Sequence, residues 1–188
     1  MFEIMKKNIV ITGRPGCGKS TLALKIKDLL EAHDYKVGGL ITPEIKDGRR
    51  RKGFKIIDIC KNKKGILARI NQSDGPRVSK YKVNLEDLNN ISTEAIRNAI
   101  NECDLIIIDE IGKMELFSES FQDNVLHALN SKKIVLATMG GIKHQFVKKI
   151  KERKDIEIIT LTRENRDQIF RELQSRILNH LKDRKNKN

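Results

Sequence analysis

The 188-residue chain has no tryptophan, two tyrosines and six phenylalanines, so the aromatic platforms on which single-stranded nucleic acids stack are scarce. No apolar run approaches the roughly 20 residues that cross a bilayer, which excludes a membrane-spanning helix. The three cysteines, Cys17, Cys60 and Cys103, show no CxxC spacing and are odd in number. That pattern argues against a disulfide framework or a zinc site and reads as reduced thiols. The opening stretch MFEIMKKNIV holds only a short apolar segment that passes straight into a glycine-rich turn. It reads as a first strand rather than a signal peptide, and a cytoplasmic protein is expected.

What the chain does have is charge: 38 Lys and Arg against 25 Asp and Glu, a formal net of +13. Residues 44–64 concentrate it, with nine bases (Lys46, Arg49, Arg50, Arg51, Lys52, Lys55, Lys61, Lys63, Lys64) against three acids (Glu44, Asp47, Asp58). Such a cluster raises the local concentration of phosphate-bearing partners. With aromatics this scarce in the chain, nucleic acid is kept as a secondary partner and a solvated surface is the plainer reading. The length suits one α/β domain over 1–182, with no membrane partner and a monomer favoured.

Along the chain, KNIVIT (7–12) is a short β-branched run leading into GRPGCGKST, after which TLALKIKDLLEAH repeats apolar positions at helical spacing. A second strand is expected at 36–41. GFKIIDI, the turn CKNKKG and ILARI then suggest an antiparallel hairpin inserted at about 44–70. Residues 71–84 read as a surface loop before a helix near 92–102. Leu105 to Ile108 are consecutive apolar residues bounded by acids, as in a strand buried on both faces of a parallel sheet. Further strands at 133–138 and 156–161 alternate with helices near 114–130, 143–153 and 164–181, which implies right-handed crossovers. The polar end, 183–188, is expected to be a disordered basic tail.

Gly13, Arg14, Pro15, Gly16, Cys17, Gly18, Lys19 and Ser20 match GxxxxGK[ST], the Walker A pattern or P-loop, between a predicted strand and a predicted helix. Glycines let backbone N–H groups turn inward as an anion nest. The helix start adds its positive end, with Thr21 the next residue along. Lys19 can bridge the β- and γ-phosphates, and the Ser20 hydroxyl is placed to ligand magnesium. Cys17 is read as a small backbone contributor rather than a redox group.

Binding phosphate is not cleaving it: hydrolysis needs a carboxylate for the metal and a group that positions water. Asp109, at the carboxyl end of the apolar strand, is the Walker B candidate facing magnesium through water. Glu110 is the candidate for orienting or activating the attacking water. Thr138, ending the next strand, can contact the γ-phosphate or simply cap its strand. Arg14, Arg77, Lys113 and Arg166 are the candidate cations for transition-state charge.

Read together, GRPGCGKS and DEIGKMEL (109–116) resemble the small nucleoside-triphosphatase family of thermophiles, related to the cancer-related nucleoside triphosphatase of animals. ITPEI (41–45), RKGFKI (51–56), YKVN (81–84) and LTRENRD (161–167) are similar to further family patterns. The resemblance implies a three-layer α/β P-loop fold of the additional-strand, RecA-like type, with a mainly parallel central sheet. It also implies slow magnesium-dependent hydrolysis of several nucleoside triphosphates and weaker action on diphosphates. By the same resemblance Asn165 and Arg166 approach the base, and Glu110 and Lys113 fall on matching positions. The chain departs from the family pattern in MGGIKHQF (139–146), where a basic residue and a proline are common, and at Lys46, where an arginine is common. His144 fits the family's histidine, with a structural role weighed equally against a catalytic one. Hydrolysis of ATP, GTP, CTP and UTP is the leading reading; the alternatives are a nucleotide or polynucleotide kinase, with segment 44–64 as its lid, and a nucleic-acid-binding switch.

Overall fold

A computed structural model of the chain describes residues 6–186. NIVIT forms β1 (Asn8–Thr12), and the glycine-rich turn after it opens α1 (Lys19–Glu31), which buries Leu22, Ala23, Ile26 and Leu30 at helical spacing. β2 (Val37–Ile41) follows, then β3 (Glu44–Asp47), β4 (Arg50–Asp58), β5 (Lys64–Arg69), β6 (Arg77–Val78) and β7 (Tyr81–Val83). α2 (Leu85–Glu102) begins seven residues before the expected helix, because the Asn84 side chain caps it by accepting from the Asp87 N–H, and Glu86 and Asp87 complement its positive end.

β8 (Leu105–Ile111) carries the apolar run between the two acids. The helix expected over 114–130 divides into a 3-10 turn at Glu115–Phe117 and α3 (Glu119–Asn130), because Ser118 is extended and caps α3 through the Phe121 N–H. β9 (Ile134–Met139), α4 (Gln145–Glu152), β10 (Ile156–Thr160) and α5 (Arg166–Lys185) complete the order. Residues 183–185, expected in the disordered tail, continue α5, where the Lys185 ammonium lies 4.1 Å from the Tyr35 ring centre. Residues 187 and 188 of that expectation lie outside the described residues.

All ten strands join one sheet in the order β10-β1-β9-β8-β2-β4-β5-β7-β6, with β3 paired to β4. β10, β1, β9, β8 and β2 run parallel, and β2 pairs antiparallel with β4. The expected hairpin is present as β4 and β5, joined to the sheet through Leu40–Asp58 and Ile41–Ile57. Residues 71–84, expected as loop, contain β6 and β7, because Tyr81 and Val83 bury alternate side chains and Val83 pairs with Ala68.

Alternation along the strands makes three layers. Ile9, Ile11, Leu105 and Ile107 pack under α1 and α5 with Ile26, Leu173 and Ile177. Val10, Ile106 and Ile108 pack under α2, α3 and α4 with Ile96, Phe121 and Ile150. Each of these side chains is essentially fully buried and stabilises by about 1.5–3 kcal/mol. β9 separates β1 from β8, so an additional strand stands between the strand feeding the P-loop and the strand carrying the acids. No helix among the described residues is long and apolar enough to cross a membrane.

Candidate active site

β1 ends at Thr12 and the P-loop turns back over the sheet. Gly13 is needed for close approach, since an added Cβ would stand 2.4 Å from the Leu161 carbonyl oxygen. Gly18 has φ 109°, a left-handed conformation that suits glycine, and begins α1 with its carbonyl accepting from Leu22 N–H at 2.8 Å. A Cβ on Gly16 or Gly18 would meet no protein atom within 4 Å, so the loop presents backbone, not side chain, on its open face. Arg14 and Pro15 are exposed, whereas Cys17 is buried with Ile9 and Ile11, consistent with a packing thiol. Lys19, 8% exposed, crosses the loop and donates from Nζ to the Gly13 carbonyl at 3.3 Å.

The acidic side is built by a bulge. Between Ile108 and Ile111, β8 advances three residues while β9 advances two, and the one extra residue breaks the alternation and re-aims Asp109 and Glu110. The Asp109–Glu110 peptide in this bulge is cis. Asp109 is buried, and its Oδ1 accepts from Ser20 Oγ at 2.9 Å and from Thr138 Oγ1. Its backbone carbonyl accepts from Thr42 Oγ1 at 2.9 Å. Burial raises the Asp109 pKa, opposed by the Thr138 and Ser20 hydrogen bonds and by the Lys19 charge. Burial also raises Glu110, with the Lys19 charge opposing and the Asp109 charge adding to it.

A third carboxyl belongs to this cluster. Glu115 is 3% exposed, and burial raises its pKa from 4.5 to about 8, with its own N–H and the Gly112 N–H opposing and the Glu110 and Asp109 charges adding. It shares Gly112 with Glu110: a Cβ there would lie 2.5 Å from Glu115 Oε2 and 3.1 Å from Glu110 Oε1. Sequence reasoning missed Glu115; its signal was an acid set between Met114 and Leu116 in a turn. It also missed Thr42, although ITPEI was noted.

The remaining expected residues are distributed unevenly. Thr138 is fully buried and turned onto Asp109. Lys113 is exposed on the turn between Glu110 and Glu115. Thr21 and Arg166 line a cavity of about 180 Å³ beside the P-loop with Gly18, Lys25, Asp167 and Phe170. Asn165 is engaged elsewhere: its Oδ1 accepts from Thr162 N–H at 2.8 Å and its Nδ2 donates to the Thr160 carbonyl at 3.0 Å, which shapes the turn into α5. Arg77 lies on β6, the edge strand at the far end of the sheet from β10 and β1, and is not brought to this cluster. His144 caps α4, its Nδ1 accepting from Phe146 N–H at 3.1 Å.

Oxygen donors meet at one point, Ser20 and Asp109, beside the glycine-rich loop. Among the described residues no cluster of three or more His, Cys, Asp or Glu could enclose a metal ion. That donor set fits a hard cation shared between one carboxylate, one hydroxyl and a ligand's phosphates.

Comparison with known proteins follows the same lines. A family model described as NTPase matches residues 8–174. The nucleoside-triphosphatase THEP1 of Methanocaldococcus jannaschii is 47% identical over 175 residues, covering 93% of this chain and 99% of that protein. The crystal structure of THEP1 from the hyperthermophile Aquifex aeolicus superposes with a TM-score of 0.76 at 35% identity, covering 88% of this chain and 96% of that one. The solution structure of a human cancer-related nucleoside triphosphatase gives a TM-score of 0.75 at 32% identity, covering 89% and 95%.

Proposed function

This chain belongs to the NTPase family and is a nucleoside-triphosphatase, and on that premise we propose that it hydrolyses the β–γ phosphoanhydride of ATP, GTP, CTP and UTP with magnesium. The carrying observation is the meeting of Lys19, Ser20, Asp109 and Glu110 around the open face of the P-loop. The loop N–H groups hold the phosphates, and Lys19 exchanges its bond to the Gly13 carbonyl for phosphate oxygens. Ser20 and Asp109 would hold magnesium, Asp109 through water, and the ion would supply positive charge against the phosphates.

Glu110 orients the attacking water and receives its proton as the new oxygen–phosphorus bond forms. The β–γ bridging oxygen departs with the bond electrons on the nucleoside diphosphate, beside Lys19. Burial raises the Glu110 pKa against the opposing Lys19 charge, the direction that makes a carboxylate a stronger base. Thr138 fixes the Asp109 carboxylate through its hydroxyl, and the exposed Lys113, on the turn after Glu110, and Arg14, in the P-loop, are cations available for transition-state charge. Arg166 and Phe170 flank the base in a cavity walled by side chains of both α1 and α5. The continuous sheet supports a single domain, and we place the protein in the cytoplasm.

Magnesium-dependent phosphate release from the four triphosphates tests this reading. Lys19→Ala is expected to lower turnover by about 10²–10³-fold. Glu110→Gln is expected to lower it by about 10²-fold or more while nucleotide binding persists. Release that begins only when an acceptor is added overturns the hydrolase reading in favour of a kinase.

A further inference from the structure

Two cysteines that stand 43 residues apart meet on the face of the sheet remote from the P-loop. Cys60 Sγ and Cys103 Sγ are 2.9 Å apart. Cys60 lies in the turn between β4 and β5, and Cys103 ends α2 immediately before β8. The turn is held for this meeting: Asp58 Oδ1 accepts from Cys60 N–H at 2.8 Å and from Lys61 N–H at 3.2 Å.

The third participant is Gly38, near the start of β2. Glycine inside a strand weakens it and marks close approach of another group. Here the group is the sulfur pair, since an added Cβ would lie 2.4 Å from Cys60 Sγ and 2.6 Å from Cys103 Sγ. The strand omits a side chain at the one place where both sulfurs need the room.

Access differs between the two thiols. Cys60 is half-buried and Cys103 is 3% exposed. Both border a groove of about 470 Å³ that is also lined by Tyr35, Lys36, Lys61 and Glu102. The hydrogen bond from Cys103 lowers the Cys60 pKa against the effect of burial, while that same bond and burial raise Cys103. Cys60 is therefore the attacking thiol and Cys103 the resolving one.

We infer that Cys60 and Cys103 are a thiol–disulfide exchange site at which a low-molecular-weight disulfide, of the oxidised glutathione class, installs a covalent staple between the β4–β5 turn and the α2–β8 junction. The Cys60 thiolate attacks one sulfur of the reagent, the reagent's S–S bond breaks, and one thiolate leaves with the electron pair. Cys103, its proton passing to the departed thiolate, attacks Cys60 Sγ and expels the second. The two protein thiols are oxidised and the reagent is reduced to two thiols. The sulfurs need to close by about 0.9 Å to reach the ~2.05 Å of the bond. Cys103 lies six residues before Asp109 along β8, or about 20 Å of extended chain, so the staple bears on stability and not on the phosphate site.

The test incubates the full chain with oxidised glutathione and reads intact mass, free thiols and thermal midpoint. The expected product has lost the mass of two hydrogens, links the Cys60 and Cys103 peptides, and keeps one free thiol. Its Tm rises by on the order of 10 °C and returns on reduction, with phosphate release at moderate temperature unchanged. Cys103→Ser is expected to stall as a glutathione adduct on Cys60, and Cys60→Ser to form neither adduct nor bridge. Three thiols still free at equilibrium, a wild-type adduct that never resolves, or a bridge that leaves Tm unmoved each overturns the inference.

Discussion

The sheet divides at β2 into two regions built by different rules. On one side, β10, β1, β9, β8 and β2 run parallel between helices, with Asp109 and Glu110 on β8 and Lys19 and Ser20 at the start of α1. On the other, β4, β5, β7 and β6 form an antiparallel extension, partly covered by α2 and carrying the basic cluster on its outer hairpin. That cluster pairs partly within itself and partly, through Lys61 and Lys63, with Glu102 and Glu94 of α2. Glu44 pairs with Lys46 at 3.1 Å and with Arg51, Asp47 pairs with Lys52 at 3.6 Å, and the Arg51 guanidinium lies 5.4 Å from the Phe54 ring. The comparison teaches that the densest charge in the sequence shapes a hairpin, while the chemistry sits where isolated charges are buried.

If that division is sound, substitutions in the parallel half act on turnover and those in the antiparallel half act on stability alone. The largest effect is expected from Asp109→Asn, which keeps the shape and removes the charge: phosphate release should fall by about 10²–10³-fold, read in a steady-state assay at saturating magnesium.

Glu115 offers the next test, because it lies in the parallel half yet carries a stability cost. Its carboxyl stays protonated in the folded chain up to about pH 8, against 4.5 as the ordinary value. A raised carboxyl pKa means that stability present below pH 4.5 is lost as pH rises through 8. Glu115→Gln cannot ionise, so by urea unfolding it should match the natural chain near pH 4.5 and exceed it by about 3 kcal/mol at pH 7. A constant difference across that window would show that the carboxyl is ionised in the fold.

Gly53→Ala probes the other half. The added Cβ would stand 2.3 Å from the Ala68 carbonyl oxygen in the neighbouring strand, a backbone clash expected to cost about 1–3 kcal/mol. Turnover per folded molecule should stay within twofold of normal, and a larger loss would tie the antiparallel extension to the site. Smallest of all, Glu44→Ala removes two surface ion pairs and should change stability by about 0.5 kcal/mol or less, with no change in phosphate release.

The same division governs how much could be read in advance. GRPGCGKST and the run Leu105–Ile108 announce β1, α1 and β8 through local signals, a motif with fixed spacing and an uninterrupted apolar stretch. Ser20 and Asp109 were legible for that reason, and the structure brings them together. The antiparallel extension is quieter. β6 and β7 span two and three residues, too short for a period-two pattern to emerge from a polar background. β4 meets β2 through Leu40–Asp58 and Ile41–Ile57, a long-range pairing that leaves the hairpin's own pattern unaltered. Glu115 and the Cys60–Cys103 meeting were illegible for a related cause: their neighbours are set by tertiary approach, around Gly112 in one case and Gly38 in the other.

β9 has one more consequence. Placed between β1 and β8, it sets the gap between the phosphate loop and the acidic bulge at two inter-strand spacings, about 9.6 Å. That span is gauged by backbone ladders on both sides, Val10–Ala137 and Ile108–Ala137 among them. Side chains on either rim can be exchanged without altering it. The width of that gap is thus a property of the main chain, a fixed calliper whose jaws are the phosphate loop on one side and the acidic bulge on the other.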